Sequence, residues 1–266
     1  MKKHINTIIM QPLVSIVTPI FNSEKVIGET IQSVLNQSYT NWELLLVNDA
    51  SIDKSGIVAN EFLAQDTRIK LFEFSENKGA AEARNYGSKM ANGDYITFLD
   101  ADDLWHKTKL EVQIKMLIDK DIDVCYGSYE MINSESKSLN IKVTALSILT
   151  YKKLLRANYI GNLTGIYNCT RLGKIFTKDL KKRQDWLLWI EALRRSEKPA
   201  VGISDTIAYY RKSENSLSSN KMELIKHNFN VYRKGLEFNF VKSCFYLMLF
   251  FYEHFLVKSK LIKKLT

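Results

Sequence analysis

Between residues 13 and 127 the chain alternates short apolar runs with longer stretches whose apolar residues recur every three or four positions. The first kind reads as buried strand and the second as amphipathic helix. Leu13–Thr18, Trp42–Val47, Ile69–Phe74, Asp94–Leu99 and Ile122–Gly127 are the strand-like runs, rich in Val, Ile, Leu and aromatic residues. Between them lie Val26–Leu35, with Val26, Ile27, Ile31, Val34 and Leu35 on one helical face, then Ile52–Ala64, the alanine-rich Gly79–Met90, and Lys107–Ile118. Strands separated by helices of this length predict an α/β fold with a largely parallel sheet and right-handed crossovers. The alternation weakens after Gly127. No internal repeat or low-complexity linker interrupts the chain, and Pro12, Pro19 and Pro199 mark no clean boundary.

Open α/β sheets bind ligands outside the carboxyl ends of their strands, so the turns there are where chemistry is sought. The fourth run, Asp94-Tyr95-Ile96-Thr97-Phe98-Leu99, is entered from Asn92-Gly93 and ends in Asp100, Asp102 and Asp103. Three carboxylates together repel one another unless a cation neutralises them. Oxygen ligands suit Mg²⁺ or Mn²⁺, which keep several waters and bridge to substrate phosphates. Asp102 or Asp103 alone is also a candidate cap for a helix from about Leu104, a role that one aspartate satisfies and three exceed.

The other turns narrow the ligand. After the first strand, Thr18-Pro19-Ile20-Phe21-Asn22-Ser23-Glu24 contains no glycine, which disfavours a dinucleotide fold and a P-loop. After the second, Asp49 is placed to accept hydrogen bonds from a base or ribose, or to cap a helix from about Ile52. After the third, Lys78 and Arg84 flank a helix start and suit phosphate by charge and helix dipole; the alternative is a solvated basic face.

With 266 residues, 45% hydrophobic and 25% charged, the composition is that of an ordinary soluble protein. Cys125, Cys169 and Cys244 are odd in number and widely spaced, so neither a disulfide framework nor a metal site is expected and a reducing cytosol is. The sequons at Asn36, Asn162 and Asn168 then read as chance. Met1-Lys2-Lys3 begins like a signal peptide, but the apolar run that follows is short and broken by Asn6 and Thr7. No uninterrupted apolar run approaches the ~18 residues of a membrane span. The net charge is +9, and residues from Lys221 onward carry nine Lys and Arg against three Glu. Little charge is left for the first 220 residues, which argues against a nucleic-acid groove along the sheet. In the tail, Phe245, Phe250 and Phe251 lie near Lys258, Lys260, Lys263 and Lys264. That pattern fits an interfacial helix on an anionic membrane, or a core-packing helix with a solvated basic end.

Four segments resemble, in order and spacing, motifs of the family 2 glycosyltransferases of the GT-A fold: residues 14–22, 47–53, 77–85 and 98–103. Val47-Asn48-Asp49-Ala50-Ser51-Ile52-Asp53 is similar to their Val-Asp-Asp-Gly-Ser-Thr-Asp turn, with Asn48 and Ala50 as departures. Phe98-Leu99-Asp100-Ala101-Asp102-Asp103 is similar to their metal-binding Asp-x-Asp motif. The likeness covers roughly residues 13–220. It implies a nucleotide-sugar donor, usually a UDP-sugar, a divalent cation, and inverting transfer to a hydroxyl. By position, Pro19 and Phe21 would line the base pocket, with Glu24, Lys78 and Arg84 among the donor-binding residues. Asp49 would bind uracil, Asp100 ribose or metal, and Asp102 the metal. Gln184-Asp185-Trp186-Leu187-Leu188-Trp189 resembles the Glu-Asp-x-x-Leu-Trp motif whose aspartate is the catalytic base. From the residues alone Asp185 is also a helix N-cap. Tyr210–Ser218 resembles a segment that closes over the donor, with Arg211 or Lys212 available to the diphosphate.

The implied organisation is a glycosyltransferase domain over residues 1–220, with a nucleotide-sugar half at 13–127, an acceptor half at 128–220, and a basic aromatic tail at 221–266. The implied setting is bacterial surface polysaccharide synthesis on a saccharide or lipid-linked acceptor, in the cytoplasm or at the inner face of the cell membrane. A nucleotidyltransferase, or a catalytically silent nucleotide-sugar-binding protein, remains the alternative.

Overall fold

The computed structural model describes residues 11–178, 180, 182–212 and 221–265. Strands β1 (Val14–Ile20), β2 (Trp42–Asn48), β3 (Ile69–Glu73) and β4 (Tyr95–Phe98) pair in parallel in the order β3-β2-β1-β4. Helices α1 (Ile27–Leu35), α2 (Ser55–Leu63) and α3 (Ala80–Met90) connect them. The register sets Ile20 beside Asn48 and Val17 beside Phe98, so the turns that follow β1, β2 and β4 emerge side by side.

Alternate residues of these strands serve opposite faces. Ile16, Leu44 and Leu46 pack with Ile27 and Ile31 of α1 and with Leu110 and Ile114 of α4 (Lys109–Asp119). Val17, Leu45, Ile96 and Phe98 pack with Trp186, Trp189 and Ile190 of α7 (Gln184–Ser196). Close approach of α3 to β1 needs Gly87, where a Cβ would lie 2.4 Å from Val17 Cγ1.

Beyond β4 the sheet becomes mixed. β9 (Ile166–Asn168) pairs antiparallel with β4 and with β6 (Val124–Ile132), so it separates β6 from the parallel strands. β10 (Ala200–Arg211) runs parallel to β6 through two register shifts, and β7 (Ser138–Val143) pairs antiparallel with β6. The short β8 (Ile148–Leu149) pairs with the start of β10.

Two helix starts differ from the expectation. Leu104–Trp105 forms β5 against β10 and α4 begins at Lys109, so neither Asp102 nor Asp103 caps a helix. The second helix begins at Ser55 because Asn48 and Asp53 hold the preceding turn: Asn48 Oδ1 accepts from Ser51 N at 3.1 Å and Asp53 Oδ1 from Ser55 N at 3.0 Å. Ile52, counted on the helical face, lies outside the helix and is 92% exposed.

The tail also differs. α9 (Phe240–Tyr252) follows α8 (Lys221–Asn230) and continues as irregular helix, so that Phe240–Leu261 is helical over 22 residues. This is long and apolar enough to cross a membrane, whereas the sequence reading stopped at the polar break of Glu253-His254. That break is where the helix is fastened to the domain. Glu253 is 1% exposed and accepts from Lys153 Nζ at 2.8 Å and from Tyr159 Oη at 2.7 Å. Phe250 sets its ring 5.9 Å from that of Trp186, so it packs inward and cannot insert elsewhere. The final strand β11 (Ile262–Lys264) pairs antiparallel with β7. The three cysteines are free.

Candidate active site

The adjacent turns after β1, β2 and β4, with the start of α3, enclose a cleft of about 600 Å³. Pro19, Phe21, Asp49, Arg84, Asp100 and Asp102 all line it. Residues from four separate sequence segments are thus brought together by sheet register.

Asp49 is 2% exposed, and both its oxygens accept backbone N–H groups: Oδ1 from Lys78 at 2.7 Å and Oδ2 from Gly79 at 2.8 Å. It does not cap α2. It ties the turn before α3 to the end of β2, and Gly79 meets that turn with φ of 86°, a conformation open to glycine. Lys78 contributes its backbone, while its ammonium lies 3.9 Å from Glu76 and over the Phe74 ring. Glu24 accepts from Lys54 N at 2.9 Å and links the first two turns. Neither Lys78 nor Glu24 lines the cleft.

The three aspartates divide their work. Asp100 Oδ1 pairs with Arg84 Nη2 at 2.5 Å and accepts from Asn162 Nδ2 at 3.4 Å. Burial acts to lower the pKa of the Arg84 guanidinium, but Asp100, then Asp185 and Asp103, outweigh it and leave it raised. Asp102 has no side-chain partner for its carboxylate among the described residues, and burial together with the Asp100 charge raises its pKa. Asp103 is turned inward, accepting from Arg211 N at 2.9 Å. Arg211 is 5% exposed and donates to Asp102 O, Asn133 O, Ser134 O and Glu29, so it braces the aspartate turn from behind and is not available to a diphosphate. Of the segment expected to close over the donor, residues 213–218 lie outside the described residues.

Asp185 is the second residue of α7, two after Arg183 at the N-cap position, so the capping role does not belong to it. Its Oδ2 accepts from Asn158 Nδ2 at 2.8 Å. Asn158 and Asn162 therefore bridge the two ends of the site, one touching Asp185 and the other Asp100. The sequence reading missed this bridge; Asn162 was read there only as a chance sequon. Its only other signal was a pair of amides in an otherwise apolar stretch.

The donor set fits a divalent cation shared with a substrate. No group of three His, Cys, Asp or Glu able to hold a metal occurs among the described residues. Asp102, unpartnered and beside Asp100, matches the one or two carboxylates that Mg²⁺ or Mn²⁺ takes alongside substrate phosphates and water. Arg84 Nε and Asn162 Oδ1 are buried without a partner, which leaves a donor and an acceptor for a ligand.

The family model described as Glycosyl transferase family 2 matches residues 15–176. The chain is 39% identical over 236 residues to the Escherichia coli UDP-Glc:alpha-D-GlcNAc-diphosphoundecaprenol beta-1,3-glucosyltransferase WfgD, covering 89% of this chain and 91% of that protein. It is 35% identical over 237 residues to TuaG of Bacillus subtilis (strain 168), a glycosyltransferase named for teichuronic acid biosynthesis, covering 88% and 94%. Among solved structures, S. aureus TarS 1-349 in complex with UDP-GlcNAc superposes with a TM-score of 0.71 at 21% identity, over 91% of this chain and 72% of that one. The fold is the one expected of a GT-A enzyme.

Proposed function

Because this chain belongs to glycosyl transferase family 2, we propose that it is an inverting enzyme moving a sugar from a UDP-sugar to a hydroxyl of a lipid-linked saccharide in bacterial surface polysaccharide synthesis. One observation carries the mechanism. Arg84 joins Asp100 directly and feels the charge of Asp185, so the phosphate-facing and acceptor-facing carboxylates belong to one cluster.

Pro19 and Phe21 offer the base an apolar edge, and Arg84, which lines the same cleft and pairs with Asp100, brings positive charge for the diphosphate. Asp102, with Asp100 beside it, would hold Mn²⁺ or Mg²⁺; when bound, the ion supplies positive charge to the departing diphosphate. Asp185, with Oδ2 fixed by Asn158, receives the acceptor hydroxyl proton on Oδ1 as that oxygen attacks the anomeric carbon from the face opposite the diphosphate. Positioning and charge stabilisation supply the rest. The division of labour is a donor half at 13–127 and an acceptor half at 128–220, with the tail docked on the latter.

The helical tail suits a bilayer surface. Val241, Phe245, Met248, Tyr252 and Phe255 recur at helical spacing and are all exposed, a stripe opposite the docked face. Lys260, Lys263 and Lys264 follow it and are exposed, a pattern that supports reading the stripe as a contact with an anionic membrane at the inner face of the cell. WfgD, whose name specifies a UDP-sugar and a diphospholipid acceptor, supports this setting.

Calorimetric titration with UDP, with and without Mn²⁺, followed by a donor-hydrolysis assay, tests the reading. Metal-dependent binding with turnover is expected. Binding without turnover would leave a silent binding protein, and preference for a nucleoside triphosphate would leave a nucleotidyltransferase.

A further inference from the structure

The last turn of the tail helix reaches Asp185 through one intermediary. Lys258 Nζ donates to Asn158 O at 2.5 Å, and the side chain of the same Asn158 holds Asp185 at 2.8 Å. The ammonium also lies 6.0 Å from the Tyr159 ring. Two residues before Asp185 comes Arg183, immediately before α7, with φ of 72°. Residues other than glycine rarely adopt that conformation, and such strain tends to gather at functional sites. Arg183 Nε is steadied by Asn228 Oδ1 at 3.1 Å.

These two cations differ from the others near the cleft. Arg84 has Asp100, Arg211 has Glu29, and Lys153 has Glu253, whereas among the described residues no carboxylate lies within ion-pair distance of Lys258 or Arg183. Two cations tied to the Asp185 region, one through Asn158 and one through the start of α7, without an ion-pair partner make a place where an anion is stabilised. The donor diphosphate already has Arg84 and Asp102, on the far side of Asp185. The helix that delivers Lys258 turns an apolar stripe outward, so an anion bound here has hydrocarbon-compatible surface next to it.

Resting on the transferase reading above, we infer that Lys258 and Arg183 form the acceptor's phosphate site, holding the diphosphate of a lipid-linked acceptor while its sugar hydroxyl meets Asp185. The acceptor would then be an amphiphile: saccharide at Asp185, diphosphate between Lys258 and Arg183, hydrocarbon along the stripe of Tyr252 and Phe255. The electrostatics agree. Burial and the Arg183 charge bring the Lys258 pKa down to about 8, only partly opposed by Asp185. Lys258 and Arg183 likewise hold His254 below its ordinary value, after burial. An arriving anion relieves both repulsions.

The test uses the full chain in neutral detergent with saturating UDP and Mn²⁺, so that the donor site is filled. Farnesyl diphosphate, farnesol and inorganic pyrophosphate are titrated against wild type, Lys258→Gln, Lys258→Arg and Arg183→Gln. Farnesyl diphosphate should bind at least tenfold more tightly than farnesol. Lys258→Gln and Arg183→Gln should each weaken it about tenfold, the scale of one charge-assisted hydrogen bond, while Lys258→Arg retains most of the affinity. UDP affinity should stay at the wild-type value in all three variants.

Equal binding of farnesyl diphosphate and farnesol overturns the inference, as does unchanged affinity in Lys258→Gln. So does parallel loss of UDP affinity, which would make the pair structural. Phosphatidylglycerol vesicles separate the remaining source of phosphate. If Lys258→Gln abolishes vesicle binding but keeps farnesyl diphosphate, the lysine belongs to the bilayer patch and the inference fails. Absence of UDP binding in the wild type would instead sink the transferase reading itself.

Discussion

Asp49, which lines the cleft, and Asp185, which Asn158 and Asn162 link to it, are held by different means. Asp49 sits at the end of a strand buried on both faces and is gripped by backbone N–H groups of the next turn but one. Its position follows from parallel register. Asp185 begins a helix and is steadied by a single side-chain amide, from Asn158, which is itself held by Lys258 of the tail. The side proposed for the donor is built by the sheet, and the side proposed for the acceptor by side-chain clasps between distant parts of the chain. Clasps can be exchanged one at a time without disturbing the strands. A fold that keeps one class of donor and accepts varied acceptors is well served by that arrangement.

Substitutions on the two sides should therefore fail differently. The largest effect is expected for Asp102→Ala: transfer falls by about 10³-fold or more, since a bound metal contributes several kcal/mol to charge stabilisation. Its Tm should equal or exceed wild type, because a like charge beside Asp100 has gone. Loss of folding in this variant would mean the carboxylate is structural. Asp49→Ala comes next and should strike stability and UDP affinity together. It removes two part-buried backbone hydrogen bonds, a cost of about 1–2 kcal/mol that chemical denaturation would register.

Asp185→Asn should reduce kcat about 10²-fold while UDP affinity is preserved, the contrast that separates the two sides most sharply. A variant that transfers at near wild-type rate removes Asp185 from the chemistry. Glu253→Gln unfastens the tail and should cost about 1–3 kcal/mol, less than a fully buried pair because Lys153 keeps some solvent contact. Burial pushes the Glu253 pKa up, but Lys153, Tyr159 and Arg156 outweigh it and leave it lowered. Its stabilisation is thus present above the ordinary glutamate value and lost as pH falls through the lower folded value. Thermal melts of wild type and Glu253→Gln should converge on acidification; a constant gap would contradict the pairing. The smallest effect is expected for Lys263→Glu, which should weaken sedimentation with phosphatidylglycerol vesicles by roughly 1 kcal/mol or a little more and leave hydrolysis unchanged.

The same contrast explains what could be read from sequence. β1 to β4 were legible because strands buried on both faces write themselves as short apolar runs, and the turns after them carry their polar residues within a few positions. Asp49, Arg84, Asp100 and Asp102 were singled out in this way, and sheet register sets all four on one cleft. Lys78 and Glu24 were misplaced because sequence locates a residue in a turn but not the direction of its side chain. Arg211 was assigned to the ligand, yet β10 carries it behind the aspartate turn, a consequence of two register shifts that no local pattern announces. Asn158, Asn162 and Lys258 escaped for a simpler reason. Each acts on a residue far away in sequence, and an isolated amide or lysine has no signature of its own. The tail was read as basic and aromatic, but which aromatics face inward depended on where Glu253 finds Lys153.

The pairing of β11 with β7 bears on how the molecule is made. Residues Ile262–Lys264 lie against Ile141–Val143 across a long stretch of intervening chain. A contact of such separation closes late, after local helices and the parallel strands have formed. Until residue 264 has left the ribosome, β7 remains an open ladder able to recruit a strand from another molecule. A nascent or prematurely terminated chain is then the aggregation-prone form, and lysine residues on the closing strand act as gatekeepers once it is in place.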